Sequence, residues 1–317
     1  MKAAVYYRYG DAKELQLADL PIPKPGKRQV LIKVAACGIN PKDAKLRRGD
    51  GKAAMGTSFP KFTGFDLAGT VAERGPNAAR FEIGDDVYGY LDGLRGGTAA
   101  EYVVVQEAKL ARAPSRIKLE QAAAIPCAYL TALQAIRNVA RLQESESICV
   151  YGASGGVGTA ALQLARLFKV ESLAVCSERN LNYCYRQGAD EVLDYQKHDV
   201  FSLKRVFDCF FQIYLKEGVL YKKAKLILPT SGHFISLDPR PAVLWQAIKC
   251  RFLLGPTVHL HWVKADAVDL EWLAEQVDDA SLQPHIENIY PLEDIAEAHR
   301  KIETGHTRGK LVIKISG

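Results

Sequence analysis

The residues best suited to chemistry lie in a glycine-rich stretch, 152–158, in which glycine recurs at every third position, at 152, 155 and 158. An apolar run, 147–151, precedes it, and a segment with helical periodicity, 159–169, follows. Glycines in such a loop let the backbone approach a pyrophosphate closely. The helix that begins there supplies unpaired N–H groups and the positive end of its dipole. Strand, loop and helix together predict a dinucleotide-binding site.

The kind of dinucleotide depends on the residues at the end of the next predicted strand, 172–176. A site for NAD usually has an acidic side chain there that holds the ribose 2′-hydroxyl, whereas this chain has Ser177. The Ser177 hydroxyl can donate to a 2′-phosphate, and the Arg179 guanidinium can pair with it. Glu178 is the alternative, because it would favour NADH if it pointed inward. Since the geometry of a strand end favours Ser177 as the contact, the sequence predicts NADPH.

The cysteines and histidines show no pattern typical of a metal site. The chain has seven cysteines, with no C-x-x-C pair and most of them in apolar runs, which is typical of a reduced, cytosolic protein. Cys37 is interpreted as a packed thiol. His259 and His261 share a strand face, but no third ligand lies close to them in sequence. We therefore expect no bound metal.

Composition bounds the size, partners and location of the protein. With 317 residues, 48% of them hydrophobic and 25% charged, the chain is long enough for two globular domains. The net charge of +6 is mild and the basic residues are scattered, so we expect no nucleic-acid partner. The most apolar window, 122–136, is too short to span a bilayer, and no signal peptide is visible. The predicted location is therefore the cytoplasm.

The order of the predicted elements indicates an α/β chain with two kinds of domain. Short strands punctuated by glycine and proline fill roughly the first 110 residues, which favours a compact β-rich fold. From residue 120 onward strands alternate with helices, which is typical of a doubly wound parallel sheet. The predicted strands are 147–151, 172–176, 191–195, 207–211 and 233–237, and the predicted helices are 120–138, 159–169, 180–187, 200–205 and 218–228. Helices at 267–278 and 292–304 and a strand at 310–315 follow. We expect domains at 1–119, completed by 263–317, and at 120–262.

Several further motifs are spread along nearly the whole chain. They are G-x-N-P-x-D at 38–43, Gly-Phe-Asp-Leu-Ala-Gly at 64–69, Gly-Asp-Asp-Val-Tyr-Gly at 84–89 and Gly-His-Thr-Arg-Gly-Lys at 305–310. Together with the glycine loop, they resemble the medium-chain dehydrogenases/reductases, in particular the zinc-independent quinone oxidoreductase (ζ-crystallin-like) family. This resemblance implies a GroES-like catalytic domain and a Rossmann domain, with NADPH in the cleft between them.

The resemblance also implies roles for residues at matching positions. Pyrophosphate contacts are implied for Ser154, Gly155, Gly156 and Val157, in the loop that Gly158 completes. Contacts to the adenosine phosphate are implied for Ser177 and Tyr195, near Arg179. Residues implied to line the nicotinamide end or the cleft are Asn40, Thr131 and Arg308.

Two positions in this resemblance indicate chemistry without zinc. Where zinc-dependent relatives have Cys and His ligands, this chain has Asn40 and Phe65, and neither is a sensible zinc ligand. Segment 88–102 also lacks the cysteines of a structural zinc site. Without zinc, alcohol oxidation loses its means of stabilising an alkoxide, which leaves hydride delivery from NADPH to a quinone or an α,β-unsaturated carbonyl compound. Asn40, Tyr88, Tyr90 or a backbone N–H could stabilise the developing negative charge, but no residue is identified as the proton donor.

Two other functions stay open. An enoyl reductase of polyketide or fatty-acyl chains, acting in trans on an acidic carrier protein, would use the same fold and hydride step. A non-catalytic NADPH-binding sensor or adaptor is the second, because segment 212–218 replaces a D-x-V-G loop that many relatives have near the cofactor. The predicted partner is a small electrophile (a quinone, an enone or an enoyl thioester), and a homodimer stays open.

Overall fold

The structure is a computed structural model that describes residues 1–214, 220–237, 241–250 and 255–315. The chain divides into two compact units. The first unit contains both ends of the chain, Met1–Leu130 and Lys264–Gly317, and the second unit is Thr131–Val263.

The first unit opens with short strands, as its glycine- and proline-rich sequence predicts. They are β1 Lys2–Tyr6, β2 Leu15–Asp19, β3 Gln29–Ile39, β4 Lys61–Phe62, β5 Asp66–Arg74, β6 Asp86–Tyr90, β7 Tyr102–Gln106 and β8 Leu110–Arg112. β3 is the longest of them, and it pairs antiparallel with both β5 and β7. Apolar side chains of these strands, including Ile32, Leu67 and Val87, form a buried core together with Phe81 from the loop between β5 and β6.

Four helices connect these strands to each other and to the second unit. They are α1 Pro41–Arg48, α2 Lys52–Met55, α3 Leu119–Ala122 and α4 Pro126–Leu133. The prediction of one helix over 120–138 is wrong in detail, because α3 ends before Pro126 and α4 begins at it. A proline inside a helix lacks the N–H for the backbone bond, and its ring clashes with the preceding turn. The last part of the predicted helix, Gln134–Ala140, winds as a π-helix.

The described part of the second unit contains the parallel sheet that the sequence predicts. Its strands are β9 Ser147–Tyr151, β10 Glu171–Cys176, β11 Glu191–Asp194, β12 Cys209–Gln212, β13 His233–Ser236 and β14 Thr257–Leu260, in the order β11-β10-β9-β12-β13-β14. All neighbours are parallel, which is the order of a doubly wound dinucleotide-binding fold. The helices are α5 Gly156–Leu167, α6 Leu181–Arg186, α7 Tyr221–Ala224 and α8 Pro241–Cys250.

Two predicted helices of the second unit are shorter than expected. Over 200–205 only a 3₁₀ turn forms, Val200–Ser202, because the chain turns to an extended conformation at Leu203. Over 218–228 the structure has α7 followed by a 3₁₀ turn, Lys225–Ile227, and residues 218 and 219 lie outside the described residues. Helix α8 was not predicted, and β14 was predicted only as the strand face shared by His259 and His261.

The tail completes the sheet of the first unit. It contains α9 Ala267–Asp278, β15 Ile286–Pro291, α10 Ile295–Glu303 and β16 Lys310–Lys314. β16 pairs antiparallel with β3 and parallel with β15. This pairing brings Lys310, at the start of β16, to the end of β3 and its G-x-N-P-x-D motif.

Candidate active site

The glycine loop lies between β9 and α5, as its sequence predicts. Gly152 adopts a left-handed conformation (φ +95°), which glycine tolerates without strain. A Cβ added at Gly158 would lie 2.4 Å from the carbonyl oxygen of Ala153, so packing alone requires glycine there. At Gly155 the nearest atom to such a Cβ is 3.9 Å away. The protein itself leaves this space open, and a phosphate approaching the start of α5 would fit it.

Asn180 joins the loop to the end of the neighbouring strand β10. Its side-chain amide donates to the hydroxyl oxygen of Ser154 at 3.0 Å and to that of Ser177 at 3.2 Å. Asn180 is 5% exposed. The structure therefore brings together two predicted cofactor residues through a third that the sequence analysis missed, and the only signal for Asn180 was its place three residues after Ser177.

The other two residues predicted at the adenosine phosphate follow the carboxyl ends of β10 and β11, which are neighbours in the sheet. The backbone N–H of Tyr195 donates to the carbonyl oxygen of Cys176 at 3.2 Å, next to Ser177. Arg179 is exposed, and Tyr195 is 39% exposed. Glu178 is also exposed and accepts from the Lys197 ammonium at 2.5 Å. The Glu178 side chain therefore faces solvent here and is not turned inward, as the NADH alternative would require.

The segment that departs from the family pattern begins directly beside the glycine loop. The backbone N–H groups of Ile213 and Tyr214 both donate to the carbonyl oxygen of Tyr151, at 3.0 and 3.1 Å. A Cβ added at Gly152 would lie 2.9 Å from the backbone nitrogen of Tyr214. The start of segment 212–218 therefore supports the loop, while residues 215–218 lie outside the described residues.

In the first unit, a buried polar cluster forms around Asn40, Asp66 and Lys310. The Lys310 ammonium donates to Asp66 Oδ2 at 2.9 Å and to Asn40 Oδ1 at 2.5 Å. The Asn40 amide donates to Asp66 Oδ2 at 2.9 Å. Burial alone would lower the pKa of Lys310, but the Asp66 carboxylate raises it above its usual value. The cluster is thus an ion pair closed by an amide, and both ends of the Asn40 side chain are used within it.

Asp43 supports this cluster from the first turn of α1. Its carboxylate accepts from the N–H of Asn40 at 2.8 Å, from the N–H of Gly64 at 2.7 Å and from the hydroxyl of Thr63 at 3.1 Å. Asp43 is 1% exposed, and burial raises its pKa to about 6. It fixes the start of α1 against the chain before β5, and so holds Asn40 in place.

The tyrosines expected to stabilise negative charge differ in their surroundings. Tyr88 is fully buried and its hydroxyl donates to the carbonyl oxygen of Leu270 at 2.5 Å, so its inclusion among those donors is wrong. Tyr90 is 2% exposed, and its hydroxyl accepts from the Lys42 ammonium at 3.0 Å. Of the two tyrosines, only Tyr90 lies in a polar environment that chemistry could use.

The remaining predicted residues are divided between the two units. Arg308 lies in the first unit just before β16, and its backbone N–H donates to a carboxylate oxygen of Glu287 at 3.2 Å. Thr131 lies in α4, is 3% exposed, and its carbonyl oxygen is 3.1 Å from His261 Nε2. Their contacts to a nicotinamide ring stay predictions.

The residues at the possible metal-ligand positions are used in packing and in contacts with one another. Phe65 is 1% exposed and belongs to the buried interior of the first unit. Over the described ranges, no group of three or more His, Cys, Asp or Glu side chains could hold a metal ion. His259 pairs instead with His233, with 3.1 Å between the two ring nitrogens.

Removing Lys310 tests how far the cluster stabilises the first unit. The Lys310→Met variant should lower the free energy of unfolding by about 3–5 kcal/mol, because the fully buried Asp66 would lose its cationic partner. Urea denaturation of the variant and the wild type measures this difference. Lys314→Met on the same strand is the control, since that ammonium is 47% exposed and 3.7 Å from Glu120. It should cost less than about 1 kcal/mol, and an equal loss in both variants would contradict the prediction.

Two known protein families match segments of this chain. Residues 26–115 match the family described as the alcohol dehydrogenase GroES-like domain, and residues 187–313 match the family described as zinc-binding dehydrogenase. The chain is 32% identical to the chloroplast envelope quinone oxidoreductase homolog of Arabidopsis thaliana, over 99% of this chain and 98% of that protein.

Two solved structures match this chain over all or nearly all of its length. The quinone oxidoreductase of Coxiella burnetii is 29% identical with a TM-score of 0.92, and the match covers 100% of this chain and 99% of that one. The Escherichia coli quinone oxidoreductase complexed with NADPH is 20% identical with a TM-score of 0.85, covering 99% and 100%, and it supports the fold alone. Within the described ranges, no helix is both long and apolar enough to cross a membrane.

Proposed function

The chain belongs to the zinc-independent, quinone oxidoreductase-like family of the medium-chain dehydrogenases/reductases, and we propose that it transfers hydride from NADPH to a quinone or to the activated double bond of an α,β-unsaturated carbonyl compound. It is an oxidoreductase with a nicotinamide cofactor. The observation that carries the proposal is the glycine loop between β9 and α5, with open space at Gly155 beside the start of the helix. Bound NADPH would supply the hydride.

The chain's own residues would hold the cofactor along the carboxyl ends of β9, β10 and β11. The N–H groups at the start of α5 and the hydroxyl of Ser154 would hold the pyrophosphate. Ser177, Arg179 and Tyr195 would surround the 2′-phosphate, while Lys197 keeps Glu178 engaged in an ion pair. The preference for NADPH over NADH rests on Ser177 and Arg179, which follow the strand end where an NAD site has an acidic residue.

The variant Arg179→Ala tests this cofactor preference. It should weaken NADPH binding by roughly 1–3 kcal/mol, the scale of a hydrogen bond to a charged group, and leave NADH binding nearly unchanged. Titration of both cofactors by calorimetry measures the effect. Arg186→Ala, at the last residue of α6 and also exposed, is the matched control. Equal affinities of the wild type for NADPH and NADH would refute the preference.

The reaction we propose places negative charge on the substrate oxygen. Hydride addition to the β-carbon of an enone gives an enolate, and reduction of a quinone gives a hydroquinone anion. Both spread the charge over several atoms, so one or two well-placed donors suffice to stabilise it. The chain's residues would orient the substrate, exclude water and supply a proton.

Two competing proposals differ in what the protein turns over. A trans-acting enoyl reductase would act on enoyl thioesters of polyketide or fatty-acyl chains, and a sensor or adaptor would bind NADPH without turnover. The sensor or adaptor stays an alternative because Tyr214 lies against Gly152. This contact places the start of segment 212–218, which departs from the family pattern, against the glycine loop.

An assay of a panel of quinones, enones and enoyl thioesters, with NADPH oxidation measured by absorbance, distinguishes the three proposed functions. Turnover of quinones or enones supports the proposed function, and turnover of thioesters alone supports the carrier-linked reductase. Tight NADPH binding with no turnover of any of them supports the sensor or adaptor.

A further inference from the structure

Lys42 is a partly buried lysine to which the proposed function assigns no role. It is the second residue of α1, two positions after Asn40, and its side chain is partly buried. Its ammonium donates to the hydroxyl oxygen of Tyr90 at 3.0 Å and lies 3.9 Å from the centre of the Phe65 ring. The ring face and the hydroxyl together hold a cation at a defined position beside the buried polar cluster.

The two lysines near this cluster differ in their partners. Lys310 is tied to the Asp66 carboxylate at 2.9 Å and is 5% exposed. Within the part of the chain that the structure describes, no carboxylate oxygen forms a salt bridge with Lys42. Burial lowers the pKa of Lys42 below its usual value, although nearby anionic groups oppose this effect. The start of a helix, where the dipole is positive, also disfavours an ammonium ion. Lys42 is therefore the more acidic of the two.

The neighbouring groups are poorer proton donors. The Cys127 thiol has its pKa raised to about 12 by burial, and burial also raises the pKa of the Tyr90 hydroxyl. The Asn40 amide is engaged with Asp66 and Lys310. An acid of lowered pKa transfers a proton more readily at neutral pH than these groups do. Lys42 thus combines charge, partial exposure and acidity.

We propose that Lys42 is the catalytic acid of this reduction, binding the substrate carbonyl oxygen and protonating it, a role that rests on the proposed function. Hydride forms the new C–H bond at the electron-poor carbon, and the displaced electron pair moves to the carbonyl oxygen. The Lys42 N–H bond breaks as the O–H bond forms, giving an enol from an enone, or the non-aromatic keto tautomer of a hydroquinone from a quinone, and a neutral amine. Solvent returns one proton to Lys42. The enol then tautomerises to the saturated carbonyl, and the quinone adduct loses its ring C–H proton and gains one on its second oxygen to give the hydroquinone. Tyr90 is a positioning residue that holds the ammonium.

Steady-state kinetics with pent-3-en-2-one and NADPH test this role. We expect Lys42→Met to lower kcat by about 100-fold, within the usual range for a general acid, without changing the affinity for NADPH. Lys42→Arg keeps the charge and should retain more activity than Lys42→Met. Lys52→Met, an exposed lysine in α2, is the control and should leave kcat unchanged. Wild-type kcat in Lys42→Met would overturn the proposal.

The pH profile gives a readout that a structural role would not move. Since the protonated form of Lys42 is active, kcat/KM of the wild type should fall as the pH rises through a pKa below the usual value of about 10.4. This alkaline limb should be absent in Lys42→Met and lie at higher pH in Lys42→Arg. The other titratable groups that face Lys42 are Asp43, Asp66, Tyr90, Asp92 and Cys127, and Lys310 pairs with Asp66. Asp43, with a pKa of about 6, titrates on the acid side and is distinguishable. A wild-type alkaline limb that persists in Lys42→Met would assign it to another group.

A binding probe separates failure of this proposal from failure of the proposed function. The anion of 4-nitrophenol resembles the enolate oxygen, and its absorbance reports its ionisation when bound. In the presence of NADP⁺, the wild type should bind this anion at least tenfold more tightly than Lys42→Met. Absence of enone and quinone turnover by the wild type would refute the proposed function. Equal binding of 4-nitrophenolate by wild type and Lys42→Met would refute the role of Lys42, whatever the substrate.

Discussion

The variant Gly156→Asp should bind NADPH at least ~1000-fold more weakly and show no NADPH-dependent reduction. Gly156 is the first residue of α5, where the backbone N–H groups would face the pyrophosphate. A carboxylate there would repel the phosphate charges and fill the space they need, and like charges brought together cost several kcal/mol. Calorimetric titration with NADPH, together with the rate of enone reduction, measures the loss.

Loss of the fold would not explain this result, because an acidic residue in the first turn of a helix interacts favourably with the helix dipole. The thermal midpoint of Gly156→Asp should therefore be equal to that of the wild type or higher. Gly156→Ala is the control, since it adds one methyl group and no charge, and it should bind NADPH more tightly than Gly156→Asp. If Gly156→Asp bound NADPH with wild-type affinity, the glycine loop would not be part of the cofactor site.

The sequence predicted the features that depend on neighbouring residues. The strand before the glycine loop and the helix after it follow from local periodicity, and β9 has the predicted bounds. Helix α9 also begins and ends as predicted. Its start is fixed by the N-cap Asp266, whose side chain accepts from the N–H groups of Val268 and Asp269. The family resemblance, carried by several short motifs, is confirmed.

Local sequence patterns could not predict the features that depend on contacts between residues distant in sequence. Lys310 meets Asn40 and Asp66 only because β16 pairs with β3, which joins residues from opposite ends of the chain. The engagement of Tyr88 with Leu270 likewise connects β6 to α9. A sequence shows a tyrosine or an asparagine as a possible donor, but only the fold shows whether its hydrogen bonds are already used. Lys42 was missed for the same reason, since its partners are Phe65, just before β5, and Tyr90, in β6.

Reduction of an activated double bond or a quinone should be at least ~100-fold faster than reduction of the matching saturated ketone or oxidation of the matching alcohol. Hydride addition to an isolated carbonyl leaves a localised alkoxide, which needs a metal ion or a strong acid close by. Hydride addition to an enone spreads the charge, and reduction of a quinone also yields an aromatic product. The first unit has a partly buried ammonium and a hydroxyl, Lys42 and Tyr90, beside its buried ion pair. These groups suit a delocalised anion.

The most direct test is kcat/KM for one matched series: pent-3-en-2-one and pentan-2-one with NADPH, pentan-2-ol with NADP⁺, and 1,4-benzoquinone with NADPH. Each is measured with and without a metal chelator. We predict that the enone or the quinone exceeds the ketone and the alcohol by at least ~100-fold, with no effect of the chelator. Faster turnover of pentan-2-one or pentan-2-ol than of the enone and the quinone, lost on chelation, would contradict the account.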